Sequence, residues 1–177
     1  MEFTTLIWLF PLIFMLHDFE EIIMMQAWQN KNKDYLLTRF PRIGKRIIGT
    51  YENLSTASFS IAVLEEFLIL SIAAVLAAEF DNFLLWTASF LAFFMHLFIH
   101  IIQWIIIRRY LPAIVSTFLA LPYCIYAFNE LIYRSLYSYS ELALLFLAGL
   151  ILLVTNLLMV HKLAAFFEKW LKSYAKP

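Results

Sequence analysis

Five stretches of mostly apolar sequence, at about residues 3–28, 54–78, 83–107, 112–133 and 141–162, are each long enough to cross a lipid bilayer as a helix. A hydrocarbon core about 30 Å thick needs roughly 20 such residues. Helices are the form to expect, because a single segment in lipid must satisfy its own backbone, whereas the strands of a barrel would be shorter and alternating. Composition agrees, with 63% of residues hydrophobic and only 15% charged, outside the range of a soluble domain. The formal net charge is zero, so no cationic surplus points to nucleic acid. One cysteine, Cys124, excludes an internal disulfide. The start, MEFTTLIWLF, places an acid where a signal peptide carries bases, so a retained first span is expected. The reading is all-α: a polytopic membrane protein, one domain over residues 1–177, built as a bundle of five transmembrane helices.

Cation placement supplies an orientation. Lys31, Lys33, Arg39, Arg42, Lys45 and Arg46 lie between the first two stretches, Arg108 and Arg109 between the third and fourth, and Lys162, Lys169, Lys172 and Lys176 after the fifth. Only Arg134, of 13 cationic residues, would fall on the opposite side. Positive residues are retained in the cytoplasm, which predicts the amino terminus outside, the carboxyl terminus cytoplasmic and an odd number of spans. Residues 29–53 then form a basic cytoplasmic loop. Within it Leu36, Leu37, Phe40, Ile43, Ile47 and Ile48 recur among the bases, the pattern of a short amphipathic segment on the inner leaflet, interrupted by Pro41 and Gly44. Two readings stay open for it: a positive loop that only sets the topology, or a segment that contacts membrane lipid headgroups or substrate.

The first stretch contains MLHDFEEIIMM, residues 15–25, with His17, Asp18, Glu20 and Glu21 in an apolar run. An acidic residue at a helix centre costs about 2.5–3.5 kcal/mol to insert, and each Leu, Ile, Phe or Val returns only about 0.3–0.6 kcal/mol. Three ionised carboxylates therefore leave this helix marginal alone. It becomes comfortable if they are protonated, face water, pair with cations or bind a metal. Other stretches place groups at the same level: Glu65 and Glu66 in the second, His96 and His100 in the third, Tyr123 and Cys124 in the fourth, Asn156 in the fifth.

Spacing refines the set. At 100° per residue, His17 shares a helical face with Glu20 and Glu21, and His96, His100 and Gln103 form a similar stripe. A histidine pair at i, i+4 is how one helix gives two imidazoles to one metal ion. Glu65 and Glu66 lie a quarter-turn apart, so one is expected to be a ligand and the other a proton-handling partner. Asp18 points off the His17 face and reads as a structural bond or outer partner, and His161, beside Lys162, as a packing residue. The metal ligands expected are His17, Glu21, Glu65, His96 and His100, with Glu20 or Glu66 as acid–base catalyst. Mixed imidazole and carboxylate ligation suits a divalent transition metal, zinc foremost, with iron or manganese open.

The run His17-Asp18-Phe19-Glu20-Glu21 is an HxxEE motif. With the glutamates of the second stretch, the histidines of the third and the RxYLP segment at Arg108 to Pro112, the chain resembles the bacterial membrane-protein family named for that motif. The resemblance implies the bacterial cytoplasmic membrane but no reaction, since the family's function is unknown. Ala113 follows Pro112 where relatives are expected to carry glycine. Intramembrane proteases that process prenylated proteins are similar in pairing glutamates with two histidine helices. They want an arginine four residues after the glutamates and an asparagine four after a histidine; here Met25 and Trp104 stand there. HExxH and GxSxG are absent.

The residues thus suit a membrane-embedded metal-dependent enzyme, foremost a hydrolase, acting on a lipidic or hydrophobic substrate. Two other classes remain open: a metal-free acid–base isomerase of a sterol- or isoprenoid-like lipid, and a carrier or binding protein for protons or metal.

Overall fold

In a computed structural model, residues 1–51 and 54–176 are described, and every regular element among them is helical: α1 (Phe3–Arg39), α2 (Pro41–Tyr51), α3 (Thr56–Phe80), α4 (Leu84–Ile107), α5 (Ile114–Tyr133) and α6 (Tyr139–Tyr174). Residues 52–53, at the end of the expected basic loop, and the side chain of Ile47 lie outside the described structure. Four helices, α3 to α6, are long and apolar enough to cross a membrane. Helix α1, with His17, Asp18, Glu20 and Glu21 in its middle, is not among them.

The expected loop is the main departure from the sequence reading. Helix α1 runs 37 residues, about 55 Å by helical rise, and carries straight on through Arg39. It stops because Pro41 follows: Phe40 takes φ −133°, ψ 65°, away from the helical region that proline disfavours in its predecessor. Pro41 then opens α2, a position where its missing N–H is no loss. Gly44 does not interrupt α2. A Cβ there would sit 2.6 Å from the Leu36 carbonyl oxygen, so glycine is what lets α2 fold back against the end of α1.

The other boundaries follow from caps. Ser55 accepts the Ser58 N–H at 3.2 Å to start α3, and the Glu168 carboxylate, from α6, accepts both serine hydroxyls at 2.6 Å. Left-handed residues end α3 at Asp81 (φ 53°) and α4 at Arg108 (φ 55°). Ser138 and Glu141 form a reciprocal capping box at the start of α6.

Helix α1 packs against α2, α3, α4 and α5, and α6 packs against α3 and α4. The core lies where α1 meets α4: Trp86 stacks on Phe90 at 5.3 Å, and Phe10 meets both rings edge-on. Pro11 explains one contact there. It has no N–H to offer Ile7, four residues back, and the freed Ile7 carbonyl instead accepts the Trp86 indole at 3.2 Å. Tyr123 donates to the Leu6 carbonyl at 2.9 Å, and Cys124 is fully buried, so the fourth stretch's polar residues at this level are core. Only 11% of the most apolar window of α6 is buried, so most of that helix presents leucines outward.

Candidate metal centre

Helix α1 contributes His17 and Glu21, and α4 contributes His96 and His100. Each pair is four residues apart, one turn along a single face. Where the helices cross, one nitrogen from each imidazole and one Glu21 oxygen come within 4.8 Å of one another, a group that could hold a metal ion. Nε2 of His96 lies 2.8 Å from Nε2 of His100, and Nε2 of His100 lies 3.3 Å from Oε1 of Glu21. The His17 ring centre is 5.5 Å from that of His96 and 5.1 Å from that of His100.

The neighbours of His17 set its tautomer. Its ring is fully buried, Nε2 has no hydrogen-bond partner among the described residues, and Nδ1 lies 3.3 Å from Oγ of Ser116. The serine has one hydroxyl proton, and its nearest acceptor is Oε2 of Glu20 at 2.6 Å, a charge-assisted bond that takes it. Ser116 is left to accept from His17 Nδ1–H. That tautomer presents the Nε2 lone pair to His96, His100 and Glu21. Two imidazole nitrogens 2.8 Å apart repel unless one carries a proton or both face a cation. With a bare buried lone pair aimed at them, the donor set of three imidazoles and a carboxylate fits a divalent transition metal.

The remaining expected site residues separate. Glu20 shares its face with His17 but turns to the start of α5, where it accepts the Ser116 N–H at 2.7 Å, the Val115 N–H at 3.4 Å, the Ser116 hydroxyl and the Tyr110 hydroxyl at 2.8 Å. A carboxylate at a helix N-terminus is favoured by the unsatisfied amides and the dipole. Four donors fill its oxygens, so Glu20 holds α5 and, through Ser116, His17; it does not face the four-residue group. Glu65 is outside that group as well. Its Oε2 accepts from the Asn156 amide at 3.2 Å, and the same nitrogen donates to Oε1 of Glu66 at 3.3 Å. Glu66 is near enough to Asp18 and Glu21 for their charges to interact.

A cavity of about 640 Å³ opens beside the group, with Asp18, Glu21, Glu66, His96, His100 and Asn156 among its walls and mostly apolar residues elsewhere. Asp18 thus belongs to the cavity face of α1, which runs Asp18, Glu21, Met25, Trp28. That i, i+3, i+7, i+10 stripe was available in the sequence, while Ser116 carried no signal of its own. His161 lines the cavity on α6 and contacts the Leu157 carbonyl through Nδ1 at 2.6 Å.

The segment after α4 fixes this arrangement. Tyr35 donates to the Ile107 carbonyl at 2.9 Å, Arg109 lies over the Tyr35 ring at 3.7 Å and donates to Asn32, and the Trp28 indole donates to the Tyr110 carbonyl. Ala113, fully buried, takes φ 73° to turn the chain into α5, the conformation glycine adopts without strain.

Comparison with curated proteins and with solved structures found no match. The model of a protein family of unknown function with an HXXEE motif matches residues 8–127, which hold His17, Glu20, Glu21, Glu66, His96, His100 and Ser116. The chain belongs to the HXXEE-motif family.

Proposed function

We propose that this chain is a metal-dependent hydrolase of a lipidic substrate, set in the bacterial cytoplasmic membrane and crossing it five times, with α1 as the first span, the amino terminus outside and the carboxyl terminus cytoplasmic. The observation that carries the reading is the convergence of His17, Glu21, His96 and His100 beside a mostly apolar cavity. An apolar cavity with a few convergent polar groups is the ordinary form of a small-molecule site. Glu21, a carboxylate costly in lipid, gains a purpose if α1 spans beside α4 with a cation between them.

Zinc is the ion best suited, since imidazole and carboxylate donors match it and hydrolysis needs no redox change. Bound there, a divalent ion would supply a Lewis acid that makes water acidic enough to attack near neutral pH. The chain's own residues do the rest. His17, His96, His100 and Glu21 hold the ion; Glu20 acts through Ser116 to keep His17 Nε2 unprotonated; and Glu66, outside the ligand group but on the same cavity, moves the proton. Asn156 orients Glu66 by donating to it, and the apolar walls exclude bulk water.

Glu66→Gln and Glu21→Gln separate these roles. Glu66→Gln is expected to keep the metal and lower turnover by about 10²–10⁴-fold, the usual worth of a positioned acid–base group, whereas Glu21→Gln loses metal. Equal metal loss from both, by elemental analysis, overturns the division.

A further inference from the structure

The cavity beside the candidate centre is mostly apolar at both ends, with Ser89 at one tip, and most of its polar groups lie between them. Towards the α3–α4 turn its walls include Phe14, Leu70, Ala92, Phe93 and Leu152. This arm closes where α4 and α6 touch, since a Cβ on Gly149 would lie 2.2 Å from the Ala88 carbonyl oxygen. Towards α2 the walls include Trp28, Leu36, Phe40, Ile43 and Leu111. Ile43 is 63% exposed, so this end reaches the surface. Asp18, Glu21, Glu66, His96, His100 and Asn156 form the belt between, and Gln103 and His161 extend it by about a turn towards α2.

Helical rise gives the scale. Ser89, at the closed tip, precedes His96 by seven positions on α4, about 10 Å. Leu36 follows Glu21 by fifteen positions on α1, about 22 Å. A lipid whose reacting bond adjoins a charged head would have to lay that head against Phe14 and Phe93 or against Trp28 and Leu36, where few polar groups replace its water. A molecule with a polar linkage between two hydrocarbon chains meets the belt with its linkage and the arms with its chains.

Resting on the hydrolytic reading above, we propose that the substrate is an acyl ester or amide with hydrocarbon on both sides of its carbonyl, the shorter chain in the closed arm. Hydrolysis adds the oxygen of water to the carbonyl carbon and breaks the C–O or C–N bond. The proton released by water passes through Glu66 to the leaving alcohol or amine. The products are a carboxylic acid and an alcohol or amine, each carrying one of the two hydrocarbon chains, with no oxidant or reductant required.

The test uses the full chain in lipid nanodiscs and an N-alkyl fatty amide carrying a photoactivatable diazirine at the end of each chain. Labelling is expected in both arms, at Ala92 or Leu152 and at Phe40 or Ile43. Excess unlabelled amide of the same chains should suppress it at least tenfold more effectively than a single-chain lysophospholipid. Labels confined to one arm, labels scattered over outward residues such as Leu144, Leu147 and Leu158, or equal competition by the lysophospholipid would each overturn the proposal. Metal content is measured on the same samples: two-armed labelling of protein without metal would support this substrate shape and refute the metal-dependent reading, whereas metal-loaded protein with scattered labels refutes the substrate shape alone.

Discussion

Ser116 has a single hydroxyl proton, and where that proton goes decides what His17 can do. Glu20 takes it, which obliges His17 to donate through Nδ1 and leaves Nε2 free towards the candidate centre. Removing the hydroxyl lets the imidazole turn or change tautomer, and losing such an outer partner typically lowers metal affinity about 10–100-fold. Ser116→Ala should show that loss in competition with a chelator of known affinity, with helical content unchanged; affinity equal to the parent's would contradict the relay. Ala113 offers a second test at this scale. Its left-handed backbone costs an alanine about 1–2 kcal/mol. Ala113→Gly should therefore change stability by no more than about 1 kcal/mol, because relieved strain offsets the lost methyl and the added chain entropy. Ala113→Val, bulkier and β-branched at a fully buried site, should destabilise by about 2 kcal/mol or more. Thermal unfolding of both variants in one detergent checks the pair. At this scale the sequence exposed the i, i+4 histidines and HxxEE, because helical period alone puts them on common faces. It did not say that Glu20 would leave its neighbour Glu21, since the donors that draw it away, Tyr110, Val115 and Ser116, are about 90 or more positions along the chain, just before and at the start of α5.

Among the elements, the crossing of α4 and α6 depends on one missing methyl. Any side chain at Gly149 would press on the Ala88 carbonyl, which is backbone and cannot swing aside. Gly149→Val should force the helices apart and destabilise by about 1–3 kcal/mol, as overpacking does. Gly49→Ala is the control: a Cβ there meets nothing within 4 Å, and the substitution should be neutral or stabilise α2 by up to about 1 kcal/mol. Similar losses from both would remove the close approach as an explanation. Segment 29–53 shows why this level was only partly legible. Its apolar residues recur among bases with helical spacing, but Pro41 and Gly44 read as interruptions. Proline instead opened α2, and glycine admitted a close contact that no local pattern encodes. Glu65 was expected as a ligand and Glu66 as a proton-handling partner, but the 100° between them sends one towards the cavity, here Glu66, and which one depends on how α3 is rotated against α6.

For the whole molecule, the apolar stretches made the helical class legible, and the coincidence of polar residues at one depth pointed to α1, α3 and α4 as partners, of which α1 and α4 supply the four-residue group. The central claim is that these helices are held around a cation. Elemental analysis of the full chain, extracted without chelator and loaded with zinc, measures it most directly. The account predicts about one ion per chain in the parent and a loss of at least tenfold in retained metal for His17→Ala, His96→Ala and His100→Ala alike. A parent that retains far less than one ion, or histidine variants that retain as much as the parent, would contradict it.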